Sequence, residues 1–351
     1  MTPPDAEAQT VFLQKIQRIF SEGEFAATYK YALLLTLAEL AVEAGDDSGA
    51  ALDLPLTAVG EKFAELYWRQ LATYQSGLPE TTAAVLRQNQ GAQAAVVNHL
   101  RDLHRLSAGR LSIARRMAGW APAIRKVADT VRTMPLRYLQ VVGGRLDPFL
   151  YDYPGPRGVV RLRPGVAFNL RRYQGLIQEF ARSGWIRHVR ANRLNLPMLG
   201  TADDLESFMF GSPRAPLAPV AEILAPIQAH RCFYCDGRLD TRSEVDHFIP
   251  WARYPRDTAH NFVLAHRGCN NDKRDLLAAR RHLERWLRHV DCCGSEVGGL
   301  LAGLGFLADA GCSRQVARWA YGQAVESGSF GWTGRGMPPE SLSTDCLAVF
   351  S

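Results

Sequence analysis

The chain has 351 residues, 47% of them hydrophobic, with 41 Lys and Arg against 35 Asp and Glu for a formal net charge of +6. That is material for two domains with buried cores, so a soluble globular protein is expected. The most apolar run, Tyr31 to Val42, is interrupted by Glu39 and too short for a bilayer, which argues against a membrane protein. The opening MTPPDAEAQT lacks the basic and apolar regions of a signal peptide. The sequence pI near 9.0 suits a polyanionic partner.

In chain order, Val11, Phe12, Ile16, Ile19 and Phe20 share one face of a helix predicted over 8–20, stopped by Gly23. A second helix is expected over 24–44, apolar almost all round and so central to a core. Two more are expected at about 57–74 and 81–106, their aromatic residues read as core rather than as a base-stacking platform. Arginines crowd 101–137. A short hairpin is expected around the Pro/Gly turn of 143–164, then a helix over 166–183. Residues 157–193 hold nine arginines and one acid, Glu179, the steepest charge bias in the chain. A phosphate-tracking surface is expected there, carried by Arg157, Arg161, Arg163, Arg171 and Arg172, because arginine pairs bidentately with phosphate. Thr201 with Asp204 reads as a capping box for a short helix ending at Phe210, and three prolines in 211–219 mark a boundary. Later, Leu276, Ala279, Leu283, Trp286, Leu287 and Val290 form an apolar stripe. A last helix is expected at 314–326.

The chemistry concentrates in residues 230–277. Cys232 and Cys235 form a CxxC pair, and His266 and Cys269 form a second pair about thirty residues on. Four sulfur and nitrogen ligands leave no position open for substrate, which suits a zinc ion held for structure. His230 is the rival fourth ligand; the gap from His266 to Cys269, mirroring the first pair, favours His266. The other cysteines, Cys292, Cys293, Cys312 and Cys346, show no regular disulfide framework, so a reducing cytoplasm fits best. A second group is Asp246 and His247, Asn261 fourteen residues later, and Asn270 directly after Cys269. A carboxylate and an amide oxygen suit a hard cation such as Mg2+ or Mn2+. An imidazole with a pKa near ~6.5 is largely neutral at cellular pH, so His247 could serve as general base. His260 is expected to face solvent, and Lys273 to be either a solvated helix residue or a phosphate contact.

These residues, CxxC, Asp246-His247-Phe-Ile-Pro, Asn261 and Cys269-Asn270-Asn-Asp-Lys273, resemble the HNH endonuclease superfamily. The resemblance covers about 50 residues. It implies a ββα-metal hairpin and helix, Asp246 and Asn270 as ligands of the catalytic ion, His247 as activator of water, and Asn261 as the residue that holds the histidine loop. It also implies products with 5′-phosphate and 3′-hydroxyl ends. Two departures stand out: His266 replaces the cysteine of many zinc-bearing members, and Asn270 stands where the family name has His. Both substitutes are sound ligands for their ions.

The expected fold is therefore mainly α. A helical, basic N-terminal domain with a small α+β region spans 1–211, a Pro-rich linker 212–219, a zinc-stabilised ββα-metal domain with C-terminal helices 220–332, and a tail 333–351. The expected function is metal-dependent hydrolysis of double-stranded DNA, by nicking, since one such centre cuts one strand. A zinc-stabilised nucleic-acid-binding module that does not cut and an RNA-cleaving nuclease are the rivals. By analogy of architecture, a role in prokaryotic phage defence or restriction is expected, with defence-system partner proteins.

Overall fold

Helix Tyr29–Ala44 is buried at every residue from Tyr29 to Val42, as a helix must be when neighbours cover it on all sides. The structure, a computed structural model, describes residues 2–76, 81–199, 205–211 and 217–350. It divides into two units, Met1–Gly211 and Ser212–Ser351.

In the first unit, helices Leu56–Trp68, Pro135–Tyr138, Val166–Arg172 and Gln174–Ala191 pack on that central helix. Leu33, Leu34 and Leu37 are fully buried, each contributing on the order of 2 kcal/mol. The first helix, Ala6–Glu22, is capped by the Asp5 carboxylate and buries Phe12, Ile16 and Ile19 of the expected face, while Val11 is 43% exposed. The central helix starts at Tyr29 rather than at 24 because the preceding backbone is used elsewhere: Thr28 N–H donates to Gln88 O at 3.0 Å, and Ala27 bridges Asn89. Helix Leu56–Trp68 crosses Trp120–Thr133 so closely that a Cβ on Gly60 would lie 2.9 Å from Ala128 Cβ. Only glycine fits there.

The expected helix over 81–106 is shorter, Ala95–Leu106, and the end of the expected 57–74 helix is a strand, Thr73–Tyr74, paired with Ala84–Val85. Side-chain amides make the extended stretch viable. Asn195 accepts from Arg87 N–H and donates to Arg87 O, and Gln88 Oε1 receives the Thr28 hydroxyl and the Trp185 indole N–H. The expected hairpin in 143–164 is also rearranged. Val141–Val142 and Arg145–Leu146 form a tight hairpin across Gly143 and Gly144. Val159–Leu162 instead pairs antiparallel with Leu52–Pro55, Leu162 facing Leu52 and Val160 facing Leu54. Burial chose that partner, since Leu54, Val160 and Leu162 enter the core together. The helix expected over 166–183 is two helices, Val166–Arg172 and Gln174–Ala191, broken at Tyr173.

The arginines expected to form a phosphate surface divide by environment. Arg171 is 1% exposed. Its guanidinium donates to the carbonyls of Ala41, Val42 and Gly45 at 3.3, 3.0 and 2.9 Å and pairs with Asp47 at 2.8 Å. It closes the C-terminal end of the central helix, where carbonyls lack partners and a cation is favoured. This corrects the surface role expected for it. Arg161 pairs with Asp53 at 2.6 Å, and Arg163 with Asp152 at 2.6 Å. Arg157 is exposed and Arg172 half-buried. Another buried cation, Lys62, reaches Glu43, Glu65 and Glu39 at 2.7, 3.5 and 3.9 Å.

The second unit opens with helix Ala218–Ile227, which starts inside the stretch expected to be linker, with proline in its first turn. That position suits proline because the missing N–H would have no helical partner. Most of the expected linker, and the Thr201–Asp204 capping box, lie outside the described residues. Strands Glu244–His247 and Phe262–Ala265 pair antiparallel, and helix Arg267–Lys273 follows. Helix Arg280–Gly303 buries Leu283, Trp286, Leu287 and Val290. Trp286 stacks on Phe248 with ring centroids 5.1 Å apart. Leu276, expected in that stripe, precedes the helix and is 39% exposed. The stretch expected as a tail carries regular structure. Glu340–Ser341 pairs with Phe330–Gly331, Asp345–Ala348 is helical, and Trp332, Leu342 and Cys346 are buried.

Candidate metal centres and active site

The turn after helix Ala218–Ile227 folds back on itself: Cys232 N–H donates to Gly237 O at 2.8 Å and Asp236 N–H to Cys232 O at 3.0 Å. Phe233 N–H donates to Leu264 O at 3.0 Å, tying this knuckle to the second strand. Cys232 and Cys235 thereby meet His266 and Cys269, and the four ligand atoms lie within 4.8 Å of one another. Tetrahedral zinc with four such ligands sets ligand atoms roughly 3.5–4 Å apart. His266 Nδ1 is 3.3 Å from Cys235 Sγ, while its Nε2–H donates to Arg238 O at 2.8 Å. Outer hydrogen bonds of that kind orient a metal-bound histidine and fix its tautomer. Burial and the neighbouring Cys232 and Cys235 push the Cys269 thiol up to about 12. The donor set fits zinc. His230, the rival ligand, is outside the cluster.

The candidate catalytic set lies on the adjoining hairpin and helix. Asp246 and His247 end the first strand, opposite Val263 and Phe262. Asn261 stands just before the second strand and is 3% exposed. Its amide accepts from Ile249 N–H at 2.7 Å and donates to Ile249 O at 3.0 Å, and its backbone carbonyl accepts from Phe248 N–H at 2.7 Å. The backbone directly after His247, at Phe248 and Ile249, is thus pinned by one residue. His260 does not face solvent; it is 5% exposed and its Nε2–H donates to Gly294 O at 3.0 Å. The helix Arg280–Gly303 covers it.

His247 is nearly buried, edge-on to Trp251 and Phe262 with centroids 5.1 Å away in each case. Its Nε2 lies 2.9 Å from Asp257 Oδ1. A carboxylate only accepts, so the proton sits on Nε2 and the lone pair on Nδ1. Asn270 Nδ2 donates to Glu244 Oε2 at 3.2 Å, which assigns the amide nitrogen and leaves the amide oxygen for another partner. Asp246 Oδ2 receives the Tyr234 hydroxyl at 2.5 Å and pairs with Lys273 Nζ at 3.0 Å. Lys273 is fully buried and also donates to His247 O at 3.1 Å. Neither sequence reading of Lys273 holds: it is neither solvated nor placed to meet a phosphate, but is spent on Asp246 and His247 at the end of the first strand. Burial and the Asp246 charge hold the Tyr234 phenol well above its usual range, so it stays a donor.

Sequence reasoning missed Asp257, Tyr234 and Glu244. Tyr234 sits inside the CxxC turn, and that was the one available signal; no spacing rule points to Asp257. Arg157, Arg161, Arg163, Arg171 and Arg172 all belong to the first unit.

Two family models match the chain. One, described as a domain of unknown function (DUF8808), matches residues 9–195. The other, described as HNH endonuclease, matches residues 232–279 and so contains all four zinc ligands and the Asp246–Asn270 set. No curated protein and no solved structure matches the chain. Among the described residues no helix is long and apolar enough to cross a membrane. With more than half of its length in the first match, the chain belongs to the DUF8808 family and carries a zinc-ligand HNH endonuclease domain behind that region.

Proposed function

We propose that this protein is a metal-dependent HNH endonuclease that hydrolyses phosphodiester bonds of DNA and nicks one strand per event. The observation that carries the reading is the placement of Asp246, His247 and Asn270 on one ββα unit, with His247 held by Asp257 through Nε2, which leaves the lone pair on Nδ1. Asp246 and Asn270 offer a carboxylate and an amide oxygen, a hard donor pair suited to Mg2+ or Mn2+. A divalent ion bound there supplies Lewis acidity to the phosphate and to the departing 3′ oxygen. His247 Nδ1 takes a proton from the attacking water, and Asp257 stabilises the imidazolium that forms. Lys273 and Tyr234 hold Asp246 in place, and Asn261 keeps the His247 loop from drifting.

The net positive charge and the exposed arginines of the first unit support a polyanionic partner, with double-stranded DNA as substrate. The four cysteines outside the zinc cluster, Cys292, Cys293, Cys312 and Cys346, follow no regular disulfide spacing, which supports a reducing, cytoplasmic setting. A basic helical region ahead of an HNH domain supports a place in prokaryotic phage defence or restriction, where partner proteins would supply the trigger; challenge of expressing cells with phage tests that role.

The biochemical test is cleavage of supercoiled plasmid with Mg2+, with Mn2+ and with EDTA, comparing the native protein with His247→Ala. Metal-dependent nicking that falls by about 100-fold or more in the variant supports the reading. Equal cleavage by both overturns it, and binding without cleavage by either favours a silent nucleic-acid-binding module. A matched RNA substrate in the same assay decides between the two nucleic acids.

A further inference from the structure

Tyr234 occupies an unusual place, because it belongs to the zinc knuckle by sequence and to the catalytic carboxylate by contact. It lies between two thiolate ligands, Cys232 and Cys235, in a turn closed by the Cys232 to Gly237 hydrogen bond. Its ring is clamped on three sides by edge contacts with Phe233, Trp332 and His282 at centroid distances of 5.3, 5.0 and 5.5 Å. Trp332 is itself anchored by its indole N–H on Asp272 Oδ2 at 2.8 Å, so the C-terminal stretch takes part in the clamp. From that socket the hydroxyl reaches Asp246 Oδ2 at 2.5 Å. Lys273 Nζ takes the same oxygen at 3.0 Å.

We infer that Tyr234 is a positioning residue for the catalytic ion: the zinc knuckle presents its hydroxyl to Asp246 Oδ2, so that the carboxylate is held with Oδ1 turned to the divalent cation. This rests on the reading of Asp246 as a ligand of that cation. A carboxylate on a strand end can rotate about its last bond and offer either oxygen, and a cation gains affinity when that freedom is removed in advance. Two donors on one oxygen remove it. Zinc has no chemistry of its own in this arrangement; it shapes the turn from which the phenol is offered. The two metal centres are thereby linked through one side chain.

The test is Mn2+ titration of the zinc-loaded full chain, with free Mn2+ read by electron paramagnetic resonance, for the native protein, Tyr234→Phe and Asp246→Asn. Phenylalanine keeps the ring in its clamp and removes only the hydroxyl, and the zinc content of each variant is measured alongside. The expected result is full zinc content in Tyr234→Phe with Mn2+ affinity lowered about 10-fold or more, and plasmid cleavage that recovers as Mn2+ is raised. A purely structural defect would not recover with metal. Native Mn2+ affinity in Tyr234→Phe, with Asp246→Asn impaired, overturns the inference and leaves the nuclease reading standing. Loss of zinc from Tyr234→Phe also overturns it, since the hydroxyl would then serve the knuckle. Equal Mn2+ binding by the native protein and Asp246→Asn removes Asp246 as a ligand and the inference with it.

Discussion

Each unit buries a basic side chain completely, and the two are put to different use. Arg171, in the first unit, spends its guanidinium on three carbonyls at the end of helix Tyr29–Ala44 and on Asp47. Lys273, in the second, spends its ammonium on the carboxylate of Asp246 and the carbonyl of His247. The guanidinium fans out over several acceptors and finishes a fold element; the ammonium is a point charge aimed at one strand end where chemistry is expected. A buried cation therefore identifies a site only through what it holds.

The largest effect should come from the staple of the second unit. Cys232→Ser or Cys269→Ser should abolish zinc retention and melt the region around 232–279, because structural zinc contributes roughly 10–16 kcal/mol in small zinc folds. Calorimetry with metal analysis should show that transition lost while the transition of the first unit stays in place. A second unit that melts unchanged without zinc would contradict the assignment.

Next in size is Asp257→Asn, which keeps the shape but removes the charge that stabilises imidazolium. Cleavage should fall roughly 100-fold with DNA affinity unchanged. Full activity in that variant would mean that the 2.9 Å contact with His247 is incidental.

Arg171 and Lys273 can then be compared directly by replacing each with methionine. Arg171→Met should cost the first unit about 3 kcal/mol in denaturant unfolding, since helix-end carbonyls lose their donor, and should leave cleavage unchanged under folding conditions. Lys273→Met should lower cleavage roughly 10–100-fold by freeing the Asp246 carboxylate. If the Arg171 variant folds normally but loses DNA binding, the contrast between the two units fails. The smallest effect belongs to the exposed arginines. Arg157→Ala should weaken DNA binding slightly and reduce the slope of log affinity against log salt by about 1, read by fluorescence anisotropy at several salt concentrations.

The zinc cluster was legible because its chemistry demands particular residue types at short, regular spacing, and a β-hairpin followed by a helix brings such residues together locally. Cys232, Cys235, His266 and Cys269 converge as their spacing implies. Helix Ala6–Glu22 and the buried helix Tyr29–Ala44 were legible for a similar reason, since periodicity is a local property. Asp257 and Tyr234 were not, because a partner for a histidine or a carboxylate is chosen by distance in space and carries no spacing rule. His260 was misjudged as exposed because the helix that covers it begins twenty residues later in the sequence.

By itself, then, the sequence determined which atoms could bind metal and where apolar helices would form, both consequences of side-chain chemistry repeated at short range. Tertiary structure decided the rest. It paired Val159–Leu162 with Leu52–Pro55 because their apolar faces enter one core. It turned Arg171 from a surface charge into a helix cap, drew the C-terminal stretch against Tyr234 through Trp332, and set Asp257 behind His247. Each of these joins residues whose partners satisfy a buried polar group or exclude water, and such needs arise only once the chain has closed around them.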